Sequence, residues 1–182
     1  MEIVKYGDPV LRAKGARIEA ITDDIRNLAD AMIETMREAN GVGLAAQQVG
    51  YALQLTVIDV AGVEDRPSTM KVNGEEVDIA AWSPMVLLNP VLELGTDKEL
   101  GAEGCLSFPN LVSDIQRAAT VKAKALLIDG REVEFEATGL LARALQHEVD
   151  HLNGILFIDR MNSAAKASIG GKLRRMQKAR GR

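Results

Sequence analysis

The chain has 182 residues, 47% of them hydrophobic and 3% aromatic, with a formal net charge of -4. That length and apolar fraction suit one domain whose core is built from Leu, Ile, Val, Ala and Met in place of rings. There is no run of about eighteen apolar residues, and Glu2, Lys5 and Pro9 interrupt the N-terminal "MEIVKYGDPVLR", so neither a membrane span nor a secretory leader is expected. Cys105 is the one cysteine, which excludes an intrachain disulfide and fits a reducing, cytoplasmic setting. The charge is uneven. Residues 160–182 carry eight basic and no acidic side chains, leaving 14 basic against 26 acidic residues, a balance of -12, in residues 1–159.

In chain order, "DDIRNLADAMIETMREAN" (23–40) repeats apolar residues at Ile25, Leu28, Ala29, Met32, Ile33 and Met36, the spacing of one helix face. Thr22 or Asp23 can cap its start and Asn40-Gly41 ends it. "LQLTVIDV" (53–60), "MVLLNPVLEL" (85–94), "TVKAKALLID" (120–129) and "REVEFEAT" (131–138) read as strands, the last two joined by a tight turn at Asp129-Gly130. Between the first two lies a polar stretch, 61–84, with two prolines and Asn73-Gly74; it reads as an inserted loop, with the signal for a hairpin of its own. A second helix follows Thr138-Gly139, with Thr138 as its N-cap and Gly154 as its stop. The expected fold is α+β: mixed or antiparallel sheets packed around this second helix, with an N-terminal helix and a basic C-terminal helix. Residues 1–165 make up the domain and 166–182 the basic tail.

The second helix holds both histidines of the chain, His147 and His151, with Glu148 between them in "QHEVDHLNG". Histidines at i and i+4 project from one helix face and can meet one metal ion, while the adjoining glutamate reaches a water beside it. The competing reading is two unrelated helical histidines. A catalytic site of this type needs a third protein ligand, usually a later histidine or glutamate. Neither residue type occurs after His151, and the only downstream carboxylate is Asp159. Upstream, "EGCLSFP" (103–109) carries Cys105, whose thiolate suits zinc or ferrous iron. Cys105 is therefore the preferred third ligand. A packed structural cysteine and a nucleophile paired with one histidine are the alternatives. "GVGLAAQQ" (41–48) mimics a dinucleotide fingerprint, but a helix precedes it and a strand follows, the reverse of the order that fold requires. It remains a segment poor in side chains that can bring backbone close to a ligand, or a plain loop with a surface Gln48.

These three stretches, in this order, resemble those of the peptide deformylases: "GVGLAAQQ", "EGCLS" and "QHEVDHLNG" are similar to that family's three motifs. "YGDPVLR" and "GLLARALQHE" add to the likeness, which runs from about residue 3 to 165. The resemblance implies removal of the N-formyl group from the initiator methionine of nascent polypeptides. It implies one divalent metal ion, Fe2+ foremost, with Zn2+, Ni2+ or Co2+ as substitutes, held by Cys105, His147 and His151. Glu148 would be the general acid/base, Gln48 and the Leu106 N–H the oxyanion donors, and Val42, Gly43, Leu44 and Ala144 the lining of a methionine pocket. Gln47 departs from the proline often found there, and the 61–84 segment, if it folds over the cleft, alters access for longer peptides. The basic tail is either a solvated helix face or an anchor to ribosomal RNA; no DNA or membrane partner is expected. Two other readings stand beside the formyl hydrolase. One is another metal-dependent amidase or peptidase; the other is a non-enzymatic ribosome-associated module with a structural metal.

Overall fold

Residues 55–58 and 85–88, LTVI and MVLL, are continuous apolar or β-branched runs, and every one of their side chains is buried. A strand reads that way when both of its faces are covered. In the computed structural model, which describes residues 1–180, these runs belong to β2 (Leu55–Ile58) and β5 (Met85–Leu94). Helix α1 (Asp23–Glu38) covers one face, packing Met32 and Met36 on Leu55, Val57 and Leu88. Helix α2 (Gly139–Leu152) covers the other, packing Leu141 and Leu145 on Ile58, Met85 and Leu87. Met32 and Met36 have no exposed surface, and burial of that kind stabilises by about 1.5–3 kcal/mol per side chain.

The sheet has seven strands in the order β1 (Gly43–Ala45), β2, β5, β8 (Thr120–Leu127), β9 (Glu132–Thr138), β3 (Ser68–Val72) and β4 (Glu75–Glu76), every pair antiparallel. Away from α1 one face is open to water, and the sequence alternates accordingly. Val121, Ala123 and Ala125 of β8 face in, whereas Lys122 and Lys124 face out toward Glu136 and Glu134 at 3.7 and 3.1 Å. The turn between β8 and β9 is one residue longer than a two-residue hairpin: Leu127 N–H bonds the Arg131 carbonyl, and Gly130 takes φ +90°. Three-residue hairpin loops place a left-handed residue there.

A hairpin absent from the sequence reading, β6 (Lys98–Cys105) with β7 (Phe108–Ala118), forms a separate two-stranded sheet. Beneath it Phe108 stacks on Tyr6 at 4.8 Å and meets Phe157 edge-on at 5.2 Å, with Leu11, Ile115 and Leu156 around them. The basic C-terminus is two helices, α3 (Ser163–Ser168) and α4 (Gly170–Arg180), and α4 seats Leu173 and Met176 against this aromatic cluster while Arg174, Arg175 and Lys178 stay exposed. Gly181 and Arg182 of the expected tail lie outside the described residues.

The 61–84 segment is not a flap over the cleft. Asn73 and Gly74, at φ 52° and 80°, make the left-handed turn between β3 and β4, and β3 then extends the main sheet through β9, with Met70 opposite Ala137. Val63, Val77, Ile79 and Trp82 pack onto the core. Thr138 occupies the N-cap position of α2, yet its hydroxyl bonds Thr69 at 2.5 Å; the cap acceptor is Ser68, which takes the Leu141 N–H at 2.9 Å. At the far end Gly154 N–H returns to His151 and Ile155 N–H to Asp150, closing a left-handed stop with Gly154 at φ 72°.

Past that stop, Asp159 joins the N-terminal segment to the C-terminal one through Arg12 at 2.5 Å and accepts the Leu156 N–H. Burial pushes the Asp159 carboxyl up, but the Arg12 guanidinium and the Leu156 N–H outweigh it and hold the group below the usual carboxylate range. A depressed carboxylate stabilises the fold fully above its unfolded-state value, about 3.9 for Asp, and the contribution fades as pH falls through the folded-state value. We therefore expect Asp159→Asn to cost about 1 kcal/mol at neutral pH. The gap to the parent should close on acidification, as read by urea denaturation across the acid range.

Candidate metal centre

Strand β6 and helix α2 meet at their chemistry-bearing residues. One turn of α2 separates His147 and His151, whose rings lie 5.0 Å apart and inclined at 67°. Cys105, the last residue of β6, brings Sγ to 3.3 Å from His151 Nε2. The ligand atoms of Cys105, His147 and His151 all lie within 4.8 Å of one another, close enough for one ion to touch all three.

The donor set suits a borderline-soft divalent ion: one thiolate and two imidazoles, with room for a further ligand. The ring orientation is also set for it. Nδ1 of His147 donates to Glu103 at 2.9 Å, which leaves Nε2 to face the centre. Burial keeps His151 from taking a proton, so it presents a neutral ring. Burial acts the same way on His147, but Cys105 and Glu103 outweigh it and favour a protonated ring. A metal ion binding here displaces that proton, and affinity rises with pH over the range in which His147 loses it.

Glu103 is 6% exposed and accepts two bonds from Arg117, Nε to Oε2 and Nη2 to Oε1, both at 2.9 Å. A third comes from Arg143 at 2.8 Å. Arg117 in turn reaches Asp150 at 2.6 Å, which also pairs with Arg160 at 2.8 Å. Burial raises the Glu103 carboxyl, but His147 and Arg117 reverse this and hold it far below the ordinary range.

Glu148 lies beside the ligands, 4% exposed, and burial pushes its carboxyl up to about 7; His147 lowers it and Glu103 raises it. Among the described residues its Oε2 has no hydrogen-bond partner. A Cβ on Gly43 would come within 2.4 Å of Glu148 Oε1, so any larger residue there would push the carboxylate from its place. Gln48 is 2% exposed. Its Oε1 accepts the Ala45 N–H at 3.0 Å, and its Nε2 points to Cys105 Sγ at 3.5 Å and Ser107 Oγ at 3.2 Å.

The centre opens into a cleft of about 540 Å³ lined in part by Val42, Gly43, Gln48, Leu106, Ala144 and Glu148. Most of the residues picked from sequence thus share one cavity. Leu44 is an exception: its side chain has no exposed surface and packs with Met32 and Met36. Successive residues of β1 face opposite ways, and Gly43 takes the cleft side. Asp159 is engaged by Arg12 and stands outside the ligand cluster. Gln47 is fully buried and donates to the carbonyls of Ala13 and Leu152, tying the N-terminal segment to the end of α2.

The model of the family described as polypeptide deformylase matches residues 1–167. The chain belongs to the peptide deformylase family. A peptide deformylase of Methylacidiphilum infernorum is 43% identical over 178 residues, covering 98% of this chain and 93% of its own. Arabidopsis thaliana peptide deformylase 1B, solved with an inhibitor, superimposes with a TM-score of 0.84 at 38% identity, covering 98% of this chain and 91% of that one. The enzyme of Synechococcus elongatus, in complex with actinonin, gives 0.79 at 37% identity, covering 94% and 85%. Members of this family are metal-dependent hydrolases that remove the N-formyl group from nascent chains, and the Cys105, His147 and His151 cluster supplies this chain's metal site.

The sequence reading missed the ion network under the deformylase site. Glu103 stands two residues before Cys105 on the same strand, a spacing that puts both on one face; that signal was available. Arg117 and Arg143 carry no local signal, because their partners are distant in sequence. Glu103→Gln removes the charge that Arg117 and Arg143 share, and breaking such a buried set costs about 3–5 kcal/mol. It also frees the His147 ring, so metal affinity should fall about 10- to 100-fold, as measured by competition with a chelator.

Proposed function

We propose that Cys105, His147 and His151 hold a divalent ion, Fe2+ foremost with Zn2+, Ni2+ and Co2+ able to replace it, and that Glu148 is the acid/base of formyl hydrolysis. A divalent ion bound there supplies Lewis acidity, bringing the acidity of a coordinated water toward neutrality. The observation that carries the assignment is Glu148: a buried carboxylate beside the ligands, raised to about 7, with one oxygen lacking a partner among the described residues. A carboxyl near neutrality exchanges protons readily in both directions. A cation nearby lowers that value again, toward the base form.

Glu148 takes a proton as water adds to the formyl carbon. The carbonyl oxygen gains negative charge, which in this reading the Gln48 Nε2 and the Leu106 N–H stabilise; each such donor typically contributes about 10²–10³ in rate. Glu148 then delivers its proton to the departing amine as the C–N bond breaks, giving formate and a free methionyl N-terminus. Val42, Gly43 and Ala144 border the space for the methionine side chain. Glu148→Ala should keep the metal and lose about 10²–10⁴ in turnover, whereas Cys105→Ala should lose the metal. Metal analysis after anaerobic purification, with formate release from a formyl-Met peptide, checks both. Retention of metal by Cys105→Ala, or cleavage of acetylated or internal peptide bonds, would overturn the assignment in favour of another amidase.

We further propose that residues 1–165 are the catalytic unit and that α4 of the 166–182 segment contacts ribosomal RNA in the cytoplasm. Support comes from exposed Arg174, Arg175 and Lys178 on a helix already seated by Leu173 and Met176, a charge pattern suited to phosphate backbone. Reversing the three charges with glutamate should abolish salt-sensitive ribosome association and leave formyl-peptide hydrolysis unchanged. Deleting the helix is a poorer test, because it also uncovers the Phe108 cluster.

A further inference from the structure

Helix α2 separates two cavities. Ala144, His147 and Glu148 border the metal cleft, whereas Gln146, Val149, Asp150 and Asn153, around the helix from them, border a second cavity of about 670 Å³. Arg117, Asp150 and Arg160 of this second cavity belong to the ion network beside the metal site, and its other groups take no part in the proposed reaction. Its floor is aliphatic and wet: Val91 is 64% exposed and Leu94 50%, with Leu92 beside them. Its walls are cationic. Lys14, Arg17, Lys98, Arg117 and Arg160 line it against one carboxylate, Asp150.

That carboxylate is already shared between Arg117 and Arg160, at 2.6 and 2.8 Å. Arg17 has a loose exposed contact with Glu19 at 3.9 Å. Among the described residues no acidic side chain pairs with Lys14 or Lys98. The cavity is therefore positive on a body, residues 1–159, whose balance is -12, and its field is opposite in sign to that of its surroundings. No aromatic ring lines it, so it lacks the stacking platform a nucleobase needs.

We propose that this cavity binds a small amphipathic anion, with a phosphate or carboxylate head among Lys14, Lys98 and Arg160 and an aliphatic body against Val91 and Leu94. The volume falls within the range of about 300–1,000 Å³ typical of small-molecule sites. Covering Val91 and Leu94 removes apolar surface from water, and the head meets Lys14 and Lys98, which no acidic side chain pairs with among the described residues, beside Arg160, which Asp150 also engages at 2.8 Å. An uncharged lipid offers only the first of these contributions and a bare inorganic anion only the second.

The test is titration of the metal-loaded, methyl-labelled full chain with octyl phosphate and with octanoate, observing the methyl resonances of Val91, Leu92 and Leu94 against Val42 in the metal cleft. Saturable shifts at Val91 and Leu94 are expected, and the two titrations rank phosphate against carboxylate. Octanol and inorganic phosphate should each bind at least about tenfold more weakly, since each lacks one half of the recognition. The double variant Lys14→Gln, Lys98→Gln should weaken binding at least about tenfold with formyl-peptide hydrolysis unchanged. Shifts confined to Val42, no binding, equal binding of octanol, or undiminished binding by the double variant would each overturn the proposal.

Discussion

The Glu103 carboxylate is where the fold and the metal centre are fastened together. It accepts from Arg117 on β7, from Arg143 on α2 and from the ring of His147, all while nearly sealed from water. An ionised carboxylate in such a place is tolerable only because several donors replace its lost hydration. One donor lies on β7 and two lie on α2, while Glu103 itself is on β6, so the pairing that removes the desolvation penalty also sets β6 against α2. Cys105 and Glu103 are two residues apart on one strand, and His147 and Asp150 are one turn apart on one helix. Satisfying Glu103 and Asp150 through the shared Arg117 leaves little freedom in where the thiolate meets the imidazoles.

The carboxylate of Glu148, the proposed acid/base, is treated in the opposite way. Glu148 receives no arginine, and burial dominates its titration. Two glutamates in one site are thus held at opposite ends of the carboxylate range by their neighbours. Gly43 of β1 leaves room for the Glu148 carboxylate where a Cβ would displace it. The segment read in sequence as poor in side chains and able to bring backbone close to a ligand, or as a plain loop, runs as a strand over Gly43–Ala45, stiffened by β2 on its outer side and by the Gln48 side chain folded back onto Ala45.

The legible features were those whose physics is local. The His147 and His151 spacing, the apolar face of α1, the buried runs of β2 and β5, and the Asn73-Gly74 turn each state their structure within a few residues. Cys105 emerged by elimination, because the chain offers no other soft ligand. The β6 and β7 hairpin was illegible because its residue types do not follow its faces: Arg117 is buried beside Leu111 and Ile115, whereas Leu100 is 71% exposed and Val112 69%, so no alternation of hydrophobicity marks the strands. Leu44 was assigned to the cleft from the family resemblance alone, and a three-residue strand is too short to announce in sequence which face its middle residue takes. The Arg117 and Arg143 partnerships join positions 14 and 40 residues from Glu103, and sequence spacing carries no trace of such pairs.

Ser68 adds a consequence of a different kind. The amide at the start of the metal-bearing helix is capped by a side chain from the 61–84 segment, reached only because Gly139 turns left-handed beneath the Pro67 carbonyl. That segment is therefore structural scaffolding for the catalytic helix even though only Arg66 of it reaches the cleft. Its tolerance to lengthening or trimming is uneven: the turn at Asn73-Gly74 faces open space and can absorb change, whereas loss of the Pro67-Ser68 step would fray α2 from the end opposite to the one that carries His151.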